Sequence, residues 1–144
     1  MIVFDAGVLI AIEQPGDAHH VAARRFLEAN ADEQFVAGGV TLAESLVHAA
    51  ATGQAAEVLE DYELLGIEPL DVWGGSAGAV ASIRAETRLR MPDALVIYAC
   101  EREQAELVTT DVALAKAAAL RGIRVHELAS AHAPKSASMG PRAK

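Results

Sequence analysis

Four acidic residues sit in surroundings that acids ordinarily avoid: Asp5 in IVFDAGVLIA, Glu44 in VTLAESL, Asp93 in RMPDALVIYA and Asp111 in LVTTD. A carboxylate inside an apolar run is costly unless it is paired, protonated or bound to a cation. Each acid also has an ordinary local explanation. Asp5 could cap the turn after the first strand. Thr41-Leu-Ala-Glu44 matches a capping box, in which Glu44 reaches back to the Thr41 backbone N–H. Asp93 follows Pro92 at a helix N-terminus, where the helix dipole favours an anion, and Asp111 occupies an N-cap position. Taken together, Asp5, Glu44 and Asp111 lie at or beyond the C-terminal ends of predicted strands. In a parallel sheet those ends form one edge, the usual ligand crevice of open α/β sheets. Asp93 arrives from a helix start, and sequence alone does not place it.

Convergence would have a physical consequence. Two carboxylates about 5 Å apart repel by roughly 3 kcal/mol at an effective dielectric of about 20. Several together must share protons or hold a cation. Oxygen-only donors, with no cysteine or clear histidine set, select a hard ion such as Mg²⁺ or Mn²⁺. The chemistry such ions suit is phosphate chemistry, in which the ion activates water and stabilises charge on the leaving oxygen.

The elements that must position these acids read as a β/α alternation. Residues 2–5 (IVFD) form a strand that runs on through GVLIAIE into a short helix, so Asp5 is expected within the strand, held rigidly. Asp17 is an N-cap candidate for a helix carrying Val21, Ala22, Arg25, Phe26 and Ala29 at helical spacing. QFVAGGV reads as a strand, TLAESLVHAAA as a helix ending near Gly53, QAAEVLEDYELLG as a helix and IEPLDV as a short strand. A break from Gly74 to Gly78 precedes the helical AVASIRAETRL. Pro92 opens PDALVIYACEREQ, with Ala94, Ile97 and Tyr98 forming one packing stripe. AELVTT is a strand, DVALAKAAALRG a helix stopped by Gly122, and IRVHEL a last strand. The expected fold is α/β, a mostly parallel sheet covered by helices on both faces, over residues 1–128. Residues 129–144 are small, polar and basic, and read as a disordered tail.

The chain has 144 residues, 52% of them hydrophobic and many of those alanine. No apolar run reaches the roughly 18 residues that span a bilayer, so no membrane partner is expected. The N-terminus lacks a basic n-region, and no signal peptide is expected. The single cysteine, Cys100, makes no internal disulfide and reads as a buried structural thiol in a reducing cytoplasm. The net charge is −8. Because Lys135, Arg142 and Lys144 lie in the tail, residues 1–128 carry −11, nine basic against twenty acidic. That argues against a protein that holds nucleic acid by bulk electrostatics, an objection that a cation-binding acid cluster softens.

The four acids in their hydrophobic settings, in this order, resemble the motifs of the PIN-domain nucleases, and the size resembles the VapC-like toxins of bacterial toxin–antitoxin pairs. The likeness runs from Met1 to about Leu128. It implies an α/β/α sandwich and an Mg²⁺- or Mn²⁺-dependent endoribonuclease that leaves 5′-phosphate and 3′-hydroxyl ends. It also implies an RNA substrate, a homodimer and a cognate antitoxin. Asp5, Glu44 and Asp93 would be the core metal ligands and catalytic residues, with Asp111 as the fourth acid holding water or metal. Thr109 matches a hydroxyl position beside the site. One departure is Gly7: the family often carries Ser, Thr or Asn two residues after the first Asp, so a small polar contact is lost.

Other residues carry weaker signals. Arg84, Arg88 and Arg90 form the densest basic patch of residues 1–128, placed to meet RNA phosphates or an acidic partner segment, or simply to be solvated. His48, at i+4 from Glu44, could approach the site. His19 and His20 read as a solvated turn, His126 as an ordinary strand residue, and Trp73 as core or as a base-stacking platform. Glu57, Glu60, Asp61, Glu63, Glu101, Glu103 and Glu106 read as solvated helix faces. Two competing classes remain: a phospho-accepting signalling domain, which would want paired acids near the first strand and a lysine after a late one, and a non-catalytic interaction module that keeps the fold.

Overall fold

A computed structural model of the chain describes residues 1–72 and 76–131. Strands β1 (Ile2–Phe4), β2 (Phe35–Gly38), β3 (Ile67–Leu70), β4 (Glu106–Thr109) and β5 (Val125–Glu127) form a five-stranded sheet in the order β3-β2-β1-β4-β5. Every neighbouring pair is parallel, a stricter arrangement than the mostly parallel sheet expected. The connections are helical: α1 (Ala6–Glu13) and α2 (His20–Ala29), then α3 (Gly39–Ala51) and α4 (Ala55–Leu64), α5 (Ala77–Thr87) and α6 (Met91–Glu103), and last α7 (Val112–Leu120). Among the described residues no helix is long and apolar enough to cross a membrane.

Alternation along the strands builds two cores. Val3, Val36 and Leu107 pack with Val80, Ile83, Ile97 and Leu114 on the face covered by α5, α6 and α7. Ile2, Phe4, Phe35, Ala37 and Val108 pack with Leu9, Phe26 and Tyr62 on the opposite face. Side chains two apart share a face, so three residues of β1 supply both layers. Burial of each such large side chain contributes about 1.5–3 kcal/mol. The result is an α/β/α sandwich.

Strand order matters for function. The chain grows from β1 to β2 to β3 in one direction, then crosses to β4 and β5 on the other side of β1. The order therefore reverses between β1 and β4. Loops leaving their C-terminal ends diverge there and open a crevice. Asp5 and Asp111 stand at that point.

Several local expectations shift. Asp5 lies one residue beyond β1, as the N-cap of α1, rather than inside the strand. Helix α3 begins at Gly39 with Gly38 as its N-cap, so Thr41 is buried inside the first turn and no capping box forms with Glu44. Asp17 caps a turn instead of a helix: its Oδ1 accepts from the His19 N–H at 2.8 Å, and α2 starts at His20. Helix α6 has no single packing stripe. Asp93, Ala94, Leu95, Val96, Ile97, Ala99 and Cys100 are all buried, because α6 lies between the sheet, α3 and α5. Tyr98 is only half-buried. Burial pushes the Cys100 thiol up to about 12, as suits an inert core residue. Gly122, at φ 83°, stops α7 as expected. Trp73 and most of the expected tail lie outside the described residues; at the tail's start the Ala131 N–H donates to the Ala18 carbonyl at 2.8 Å.

Candidate active site

Parallel pairing sets Phe4 beside Val108, so the next residues, Asp5 and Thr109, come side by side. The Asp5 backbone is extended (φ −85°, ψ 156°), which turns its carboxylate toward the start of α1. Its Oδ1 accepts from the Ala6 N–H at 2.8 Å and its Oδ2 from the Thr109 hydroxyl at 2.7 Å. The same Thr109 oxygen accepts from the Asp111 N–H at 3.0 Å. A fully buried hydroxyl thus joins the first and fourth acids. Asp111 in turn caps α7, its Oδ1 accepting from the Leu114 N–H at 3.1 Å. For Asp111 the cap and the site are the same structure.

Asp93 reaches this group from the first turn of α6, and like Asp5 it is only 8% exposed. Burial raises the Asp5 carboxyl above its ordinary value, the bonds from Thr109 and Ala6 oppose that, and the charges of Asp93 and Asp111 push it further up. Burial also raises Asp93; Arg90 opposes this and Asp111 adds to it. The charges of Asp93 and Asp111 therefore lie close enough to act on the Asp5 carboxyl, and that of Asp111 close enough to act on Asp93. Glu44, half-buried in the second turn of α3, joins them through Arg90. The guanidinium lies 3.6 Å from Asp93 Oδ2 and 3.9 Å from Glu44 Oε2.

The donor set fits a hard divalent ion in kind: carboxylate oxygens, partly withdrawn from water, with more negative charge than they can comfortably hold. Among the described residues no three metal-ligating side chains are already arranged to hold an ion together.

Local reading missed three features. Arg90, grouped in the sequence with a basic surface patch, sits against the acids, while Arg84 and Arg88 are exposed on and just after α5. Gly7 does leave a slot, but Thr110 fills it: a Cβ on Gly7 would lie 2.5 Å from Thr110 Oγ1. Finally, a groove of about 620 Å³ runs past the site, lined by Ile10, Glu13, Glu44, Ser45, Val47 and His48. His48 is exposed on the same groove as Glu44. Glu13, which drew no attention in the sequence, is raised to about 7 by burial and by its hydrogen bond to, and charge repulsion from, Asp61, with Arg24 opposing.

The remaining histidines among the described residues are structural. His20 Nδ1 donates to the Ala11 carbonyl at 2.6 Å, tying α2 to α1, and His19 lies 3.5 Å from Asp17. His126 pairs with Glu106 at 2.7 Å while its ring packs edge-on against Phe26. Four of the acids read as solvated are likewise engaged: Glu101 with Arg121, Glu103 with Arg102, Glu106 with His126 and Arg124, and Asp61 with Glu13.

Residues 2–120 match the family model for the PIN domain, and the chain belongs to that family. No curated protein matches the sequence significantly. Solved structures with the same fold include one described as a toxin–antitoxin complex from Klebsiella pneumoniae, with TM-score 0.65 and 22% identity, covering 77% of this chain and 87% of that one. FitAcB from Neisseria gonorrhoeae has TM-score 0.60 and 20% identity, covering 88% and 97%. PAE2754 from Pyrobaculum aerophilum has TM-score 0.57 and 20% identity, covering 86% and 82%. At these identities the likeness establishes the fold.

Proposed function

We propose that this chain is an endoribonuclease dependent on Mg²⁺ or Mn²⁺ and the toxin of a toxin–antitoxin pair, acting as a homodimer in the cytoplasm. The observation that carries the reading is the Asp5–Thr109–Asp111 hydrogen-bonded series at the strand-order reversal, with Asp93 pressing on it electrostatically. Membership of the PIN family, whose members are generally nucleases, supports it. A structure of the same fold described as a toxin–antitoxin complex supports an antitoxin partner.

Asp5, Asp93 and Glu44 would hold the ion, with Asp111 as the fourth acid. When bound, the ion supplies Lewis acidity and a water of lowered pKa. The protein's part is positioning. Thr109 fixes the Asp5 carboxylate from one side and the Ala6 N–H from the other, so one oxygen geometry is held before substrate arrives. Asp111 is exposed and held by its own cap through Oδ1, and its other oxygen would orient water. RNA would approach across the α5–α6 junction, where Arg84 and Arg88 are exposed.

The test is cleavage of a mixed total-RNA substrate by purified protein in Mn²⁺, in EDTA and as Asp5→Asn. Cleavage in Mn²⁺ that vanishes in EDTA and falls at least a hundredfold in the variant supports the reading. Mn²⁺ binding without cleavage of any RNA would instead favour a non-catalytic module.

A further inference from the structure

Among the described residues two arginines each face two acids, and they differ in kind. Arg121 is locked: its Nε lies 2.7 Å from Glu101 and its Nη1 2.6 Å from Glu86, and its side chain is 26% exposed. It ties α5, α6 and the end of α7 together as a structural clamp. Arg90 spans Asp93 and Glu44 at 3.6 and 3.9 Å, longer than charge-assisted hydrogen bonds, and its side chain is 72% exposed. Such a contact gains attraction from both carboxylates without a fixed geometry, and little is lost when it lets go. Arg90 is also the N-cap residue of α6 but makes no side-chain cap bond, so the guanidinium is not needed to hold the helix.

The two acids it spans come from different elements, α3 and α6, and they are two of the carboxylates an ion would need. We propose that Arg90 is a built-in counter-ion, which neutralises the acidic site while it is empty of metal and must be displaced from Asp93 and Glu44 when a divalent ion binds. This rests on the reading that the acids bind such an ion, and adds how the site is regulated: ion affinity is set by competition with the chain's own guanidinium. The device keeps the carboxylates from repelling one another apart in the empty state and raises the ion concentration at which the site fills.

The experiment is calorimetric titration of Mn²⁺ into the full chain and into Arg90→Ala, Arg90→Lys and Arg84→Ala, with melting in EDTA to verify folding. Losing two exposed ion pairs should make Arg90→Ala bind Mn²⁺ about two- to tenfold more tightly. Arg90→Lys, which keeps the charge but cannot span both acids, should show a smaller gain in the same direction and stands in if the alanine variant fails to fold. Arg84→Ala removes an equal charge from α5 and should change affinity less than about twofold. Unchanged or weaker binding in both Arg90 variants, beside normal binding in wild type, overturns the counter-ion while leaving the metal site intact. An equal gain in Arg84→Ala also overturns it, in favour of bulk electrostatics. If neither wild type nor Arg90→Ala binds Mn²⁺, the metal-dependent reading fails and the counter-ion with it.

Discussion

The Thr109 hydroxyl donates to Asp5 Oδ2 at 2.7 Å across 104 residues of sequence, and it is fully buried as it does so. Here one oxygen both satisfies a withdrawn carboxylate and receives the Asp111 N–H. The geometry of the site is therefore carried as much by a neutral residue as by the acids.

Thr109→Val keeps the shape and removes the hydroxyl. A hydrogen bond to a charged group is worth about 1.5–3 kcal/mol, and its loss favours protonated Asp5 over the carboxylate. Mn²⁺ affinity at pH 6 should fall about tenfold or more, and the loss should be smaller at pH 8, since a higher pH favours the carboxylate form. Thr109→Ser should retain most of the affinity. Calorimetry at the two pH values decides it, and a loss that is equal at both would contradict the account.

Asp93 is raised in the folded state, so its stabilising contribution is complete below the unfolded value of about 3.9 and is lost as pH rises through the folded pKa. At neutral pH without metal, Asp93 is therefore a net cost. Asp93→Asn should melt about 3 °C higher than wild type in EDTA at pH 7 and show little of the wild-type gain in Mn²⁺. A lower melting point in EDTA would mean that the helix-dipole role outweighs the repulsion.

Glu13 supplies a second pH dependence, remote from Asp5. Its carboxyl is raised to about 7 by burial, then by Asp61, and opposed by Arg24. The sign is the same: stability is complete below the ordinary value of about 4.5 and lost as pH rises through about 7. Glu13→Gln should flatten the stability profile between about pH 4.5 and 7, and stabilise at pH 8 by about 1 kcal/mol after allowance for solvent screening. Urea unfolding at pH 5 and pH 8 measures both quantities.

Gly7 lies in the first turn of α1, where alanine would ordinarily be the better helix former by about 1 kcal/mol. Thr110 Oγ1 stands 2.5 Å from where its Cβ would go. Gly7→Ala should therefore destabilise by about 1 kcal/mol or more, since the β-branched Thr110 must leave its rotamer. In a Thr110→Ala background the same change should become stabilising. A double-mutant cycle by chemical denaturation reads the coupling, and additive effects would show that the slot is not shared.

The amino-acid order by itself determined the β/α alternation, the parallel sheet and the unusual apolar settings of the four acids, because these rest on local patterns along the chain. Apolar runs in Ile2–Phe4 and Leu107–Thr109, the Asp111 cap and the Gly122 stop are local matters, decided by alternation, capping and positive φ. Where local reading failed, packing overrode it. Helix α3 starts at Gly39, ahead of the apparent capping box, which puts Thr41 inside its first turn, and α6 shows no single stripe because the sheet, α3 and α5 all pack against it. Only the tertiary structure decided which of the acids meet. Strand order sets β4 beside β1, which brings Thr109 to Asp5 and Thr110 over Gly7. The approach of α3 to α6 lets Arg90 reach Glu44 as well as Asp93. Pairs so far apart in sequence leave no periodic trace, since electrostatic repulsion, a shared proton or a competing guanidinium acts through distance in space and not along the chain.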